Sequence, residues 1–209
     1  MSAKILKVAW WSILLGITME GILLIVAAVG GAVPGLKPIL ADLVQKVSWS
    51  FMVCTGLAIG TAASKNRGAV MGLAGLASAP AGFAIARALH KSAVQALGLA
   101  APVGGHPTPM VLVLIKAVEY AWLGGILAYA AKRAWGGKGY VLIGLLTGVV
   151  CSGLVVGLTL SGSAKVPALA ALVSKGVNEL LFPVGCSLVL FAAQSVPMGI
   201  PPPTAKRAG

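Results

Sequence analysis

Long apolar stretches, broken by small clusters of basic residues, glycine and proline, run from one end of this chain to the other. Two of them, Val8 to Met19 and Tyr140 to Ser163, carry no charge at all. Crossing ~30 Å of hydrocarbon at 1.5 Å per residue takes about 20 residues, so runs of this kind predict membrane-spanning helices. Counting apolar runs between charges and Gly/Pro breaks gives six spans, 8–29, 47–63, 68–88, 110–131, 140–160 and 177–195. The expected fold is therefore an all-α polytopic membrane protein. The second span is short at its uncharged core and can borrow length from 40–46, where Asp42 and Lys46 stand at helical i, i+4 spacing. The connections 31–46, 89–109 and 161–176 read as short amphipathic segments on the outer membrane face or as first turns of the following spans.

Composition agrees with this pattern. The chain is 58% hydrophobic and 10% charged, against roughly 25% charged in soluble domains. Lys4 and Lys7 before an apolar run resemble a signal peptide, but Val8 to Val29 is too long for one; a retained span is expected, with Met1 as the mature start. A net charge of +12 would point to nucleic acid in a soluble protein. Here the bases flank spans, where they meet phosphate headgroups, so the expected partners are membrane lipids and not nucleic acid. Cys54, Cys151 and Cys186 lie far apart inside apolar segments, and read as small buried hydrophobes and not as a disulfide framework or zinc site.

Parts of the chain echo one another. Val47, Trp49 and Phe51 align with Val118, Tyr120 and Trp122, and Arg67-Gly68 with Lys138-Gly139. LADLVQKV at 40–47 resembles LAALVSKGV at 169–177. These echoes suggest three helical hairpins, 8–63, 68–131 and 140–195, repeated in the same orientation within one transmembrane domain, 1–196. Basic residues gather in the terminal segments and in the tight turns after even-numbered spans, which predicts both termini in the cytoplasm of an inner (plasma) membrane, multi-pass protein. Trp10, Trp11, Trp135 and Tyr140 fall near the inner interface of that arrangement, and Trp49 and Tyr120 near the outer one, as aromatic belts would. Residues 197–209, PMGIPPPTAKRAG, read as a Pro-rich basic cytoplasmic tail.

Chemistry is sparse. Both histidines, His90 and His106, fall in an outer connection, and there are no paired carboxylates at usable spacing, no Ser-His-Asp order and no phosphate-binding glycine loop. The expectation is no enzyme, no cofactor and no bound metal. Small residues four apart recur instead: Gly68 and Gly72, Ser78 and Gly82, Gly144, Gly148 and Ser152, and Gly153 and Gly157. In lipid, such spacings make flat grooves for a neighbouring helix. Pro80 and Pro183 are expected to kink their spans.

Glu20 is the sharpest single residue, because a carboxylate in mid-span costs several kcal/mol unless paired, wet or protonated. No basic residue is expected at its depth, so it reads as an ion- or proton-handling site, a contact to another subunit, or a protonated carboxyl bonded to backbone. Lys116 and Glu119, at i, i+3, read as an interfacial pair, and Glu179 reads in the same way. The first functional expectation is a non-catalytic membrane subunit whose Gly-rich helices dock on other membrane subunits or on itself. The alternative is a small ion or solute channel or transporter with Glu20 on its path.

Overall fold

The computed structural model describes residues 2–31, 33–61, 66–100, 108–162 and 167–195. Within them the chain forms six helices and no strand: α1 (Ser2–Val29), α2 (Leu36–Gly60), α3 (Arg67–Ala96), α4 (Pro109–Lys132), α5 (Gly137–Gly162) and α6 (Leu169–Ser195). Each is long and apolar enough to cross a bilayer. The protein is thus an all-helical, multi-pass membrane protein. The tail at 197–209 lies outside the described residues.

The helices are longer than their uncharged cores. The segments 36–46, 89–96 and 169–176 are continuous with α2, α3 and α6, and so are not separate surface helices. α3 and α6 also run unbroken through Pro80 and Pro183. Their ends follow local chemistry. α4 starts with Pro109 at its first position, where a missing N–H costs nothing. α3 ends where Gly98 turns left-handed (φ 66°) and the N–H groups of Gly98 and Leu99 reach back to the carbonyls of Gln95 and Val94. α4 ends in the same way, but the left-handed position (φ 53°) is Ala134. Ala134→Gly should therefore raise thermal stability in detergent by up to about 1 kcal/mol, since a Cβ is disfavoured there; an unchanged melting temperature would show that the turn tolerates it.

Contacts between helices fix the arrangement. Glu20 meets Lys46 and Ser50 meets the Ser12 carbonyl, so α1 and α2 are antiparallel. In the same way Gly60 lies on Met71 and Gly56 on Ser78, Gly75 on Tyr120 and Gly124 on Met71, Ser152 on Gly176 and Gly144 on Val184, and Gly185 on Leu15 and Gly30 on Ala170. The six helices form a closed ring in chain order, with α6 returning to α1, and α6 also touches α2 and α4. Within it α2, α4 and α6 run one way and α1, α3 and α5 the other.

The even-numbered helices are the inner ones. They bury 39–44% of their most apolar stretch, against 22–28% for the odd-numbered helices. Val53, Leu57, Leu123, Leu127 and Leu190 are essentially inaccessible on the bundle axis, while Val118, Trp122, Leu146 and Val150 point outward. An apolar outside is what a lipid solvent permits.

Candidate functional site

Where α2, α4 and α6 begin and α1 and α3 end, the bundle opens into a cavity of about 520 Å³. Helical spacing builds its walls. α2 contributes Asp42, Gln45, Lys46 and Trp49, at i, i+3, i+4 and i+7, and α6 contributes Ser174, Lys175, Asn178, Glu179 and Phe182 on a matching stripe. Lys116 comes from α4, and Phe83 and Ala86 from α3. An aromatic group forms part of the floor, with Trp49 edge-on to Tyr120 at 5.6 Å and to Phe83 at 6.4 Å between ring centroids.

Four buried charged residues, Glu20, Lys116, Glu119 and Glu179, lie at or just behind the cavity walls. Glu20 is 5% exposed, and its Oε2 lies 2.6 Å from Nζ of Lys46. Lys116, 6% exposed, reaches Glu119 Oε2 at 2.8 Å on its own helix and Glu179 Oε2 at 2.5 Å on α6. Its ammonium also stands 5.8 Å from the centre of the Tyr120 ring. Lys175 donates to the Thr159 hydroxyl at 2.9 Å. At the rim, His90 Nε2 lies 3.1 Å from Asp42 Oδ1, and Lys37 donates to the Leu97 carbonyl at 3.1 Å, tying the start of α2 to the end of α3.

Several readings of the sequence change here. Glu20 has a basic partner at its depth after all, because α2 carries Lys46 inward; Asp42, the i, i+4 neighbour expected for Lys46, turns to His90. Lys116 and Glu119 pair as their spacing suggests, buried inside the bundle, and Glu179 joins them there. Trp49 and Tyr120 are core residues and no outer belt, and Tyr140 is buried too, donating to Gln194 Oε1 at 3.3 Å. Trp10, Trp11 and Trp135 do face outward.

The small-residue positions divide into two groups. A Cβ on Gly72 would press on the Ala121 carbonyl, one on Gly144 on Val184, and one on Gly148 on the Leu180 carbonyl, while Ser152 donates to the Gly176 carbonyl at 2.9 Å. These four serve contacts within the chain. Gly68, Gly153 and Gly157 have nothing within 4 Å of an added Cβ. Two further close crossings, Gly75 on Tyr120 and Gly124 on Met71, have no small-residue spacing to mark them among the patterns above.

The sequence carries a shared signal for the three cavity lysines. LVQK at 43–46, LIK at 114–116 and LVSK at 172–175 each put a lysine two or three residues after a leucine on an inner helix. Comparison with protein-family models, curated proteins and solved structures finds no match to this chain.

Proposed function

We propose that this chain is a small channel or transporter that admits an ion or small polar solute into the cavity between α2, α4 and α6. The observation that carries this reading is the Lys116–Glu179 pair lining the cavity, with Glu119 behind Lys116, joined by Lys46 on the wall with Glu20 behind it. Buried ion pairs add little to stability that apolar side chains of similar volume could not supply. In membranes they mark ion and solute pathways. The cavity is of the size that encloses small ligands. Beneath it Leu57, Leu123, Leu127 and Leu190 form an apolar plug, as expected of a path closed at one end.

Both termini lie on the cytoplasmic side in this reading, and the cavity faces the opposite side. The three hairpins, 8–63, 68–131 and 140–195, are repeats that deliver one lysine each from α2, α4 and α6. The parallel course of those helices and the recurring LVQK, LIK and LVSK segments support that view.

Side-specific labelling tests the path. In a Cys151→Ala background, Ser174→Cys should react with a membrane-impermeant methanethiosulfonate added opposite the termini. Ala193→Cys, buried one helical turn past Leu190 on the terminal side of the plug, should react from the terminal side, and more slowly because it opens only part of the time. Reaction at Ser174→Cys alone would make the cavity a blind pocket and end the transport reading.

A second reading, a non-catalytic subunit of a larger membrane complex, is favoured by one specific feature. Gly153 and Gly157 lie open on α5, beside an apolar groove of about 810 Å³ between α4 and α5. In that case Gly153→Leu should strip a stoichiometric partner from protein purified in mild detergent, while leaving the purified chain as stable as before.

A further inference from the structure

Three cysteines scattered through apolar segments read as packing residues, but the fold brings two of them together. Cys54 on α2 and Cys186 on α6 are 132 residues apart in sequence, and their sulfurs lie 3.1 Å apart. Both are wholly buried. The third, Cys151 on α5, lies beside the outer groove between α4 and α5 and has no thiol partner among the described residues. Two thiols on different helices, in sulfur-to-sulfur contact, need only about 1 Å of closure to reach bonding distance.

We propose that Cys54 and Cys186 are an oxidisable dithiol, a site of covalent modification at which α2 and α6 are joined by a disulfide on the bundle axis. The oxidant class that fits is a hydroperoxide, which is small and uncharged and so can enter an apolar interior. One sulfur attacks a peroxide oxygen, the O–O bond breaks, the first water (or alcohol) leaves with the thiol proton, and a sulfenic acid remains. The second thiol attacks that sulfur; the S–S bond forms, the S–OH bond breaks, and a water carries off the second proton. The two sulfurs lose two electrons in all, and the peroxide gains them.

The position gives the bond a consequence. Cys54 and Cys186 belong to the same buried cluster as Trp49, Tyr120, Leu57 and Leu190. A disulfide there fastens two inner helices through the apolar plug. Any motion that separates α2 from α6 is then blocked, whatever the chain transports or binds.

The test uses the full chain in detergent and in lipid vesicles, treated with tert-butyl hydroperoxide, denatured, and titrated with a maleimide. The expected result is one reactive thiol in place of three, an intact mass lower by about 2 Da, and a digest in which the Cys54 peptide is linked to the Cys186 peptide. Reduction should restore all three thiols. Cys54→Ala should keep both remaining thiols reactive under the same treatment. Peptide mapping of the unaltered chain stands even if that variant folds poorly. Three thiols still reactive after treatment, or a link that runs through Cys151, would overturn the proposal. Neither outcome depends on whether the cavity conducts.

Discussion

Lys116→Met should be the most damaging single charge removal in this protein. The ammonium neutralises Glu119 and Glu179 at once, at 2.8 and 2.5 Å, and all three groups are at most 8% exposed. Methionine fills similar volume but leaves two carboxylates in a place where water is scarce. Breaking a buried pair from one side typically costs about 3–5 kcal/mol, because the survivor stays desolvated. Here the loss has a second cost. The bond to Glu179 is the ionic tie between α4 and α6, whose contact is otherwise slight. The variant should show a large drop in thermal midpoint in detergent. Adding Glu179→Gln and Glu119→Gln to Lys116→Met should recover most of the drop, since an uncharged set has no stranded ion. A loss under about 1 kcal/mol in the single variant would mean that water from the cavity already screens the cluster. It would also weaken the case that these charges sit at the closed end of a path.

That cluster was only partly legible in the sequence, for a physical reason. Spans are written locally: an apolar run long enough to cross lipid must satisfy its backbone within itself, so helix is the only choice. This is why six helices could be placed before any tertiary contact was known. A charge, however, reads in sequence as the sign of a span's end. Lys46 falls in the stretch that the second span only borrows and Glu179 at the edge of the sixth, whereas both lie inside, because a cavity flanked by three inner helices gives them partners. Lys116–Glu119 was visible since both residues share one helix turn. Glu20–Lys46 and Lys116–Glu179 were not, since nothing local links residues 26 or 63 positions apart; only the fold juxtaposes them.

The aromatic residues show the same limit. Trp49 and Tyr120 sit at span edges in sequence, the usual place for a membrane belt. They are core residues because α2 and α4 are inner helices whose faces meet, and no sequence period separates an inner helix from an outer one when both are apolar all round. Glycine spacing failed differently. GxxxG marks a surface that can take a helix, without saying whether the helix is its own neighbour or another chain's. Gly144 and Gly148 are filled from within by α6, while Gly153 and Gly157, on the same helix, are left open.

This division on α5 gives the second large prediction. Gly148→Leu should destabilise the chain itself, whether or not a partner exists. A Cβ at Gly148 runs into the Leu180 carbonyl, and the obstacle is backbone, which cannot rotate aside. One turn away, Gly144 is packed on Val184 and the Pro183 carbonyl, so α5 has no room to tilt out of the way. α5 and α6 must separate, and the Ser152 bond to the Gly176 carbonyl would lengthen with them. In lipid, close van der Waals contact is the main force between helices, so separation removes what held the pair. The cost should be on the order of 3 kcal/mol, at the upper end of ordinary overpacking. Gly153→Leu, on an open face of the same helix, is the control: it should change the melting temperature little. The comparison between the two variants decides the matter, because helix propensity favours leucine over glycine equally at both sites. If Gly148→Leu were as stable as Gly153→Leu, α5 could not be seated on α6 as described, and the wall that carries Glu179 would lose its support.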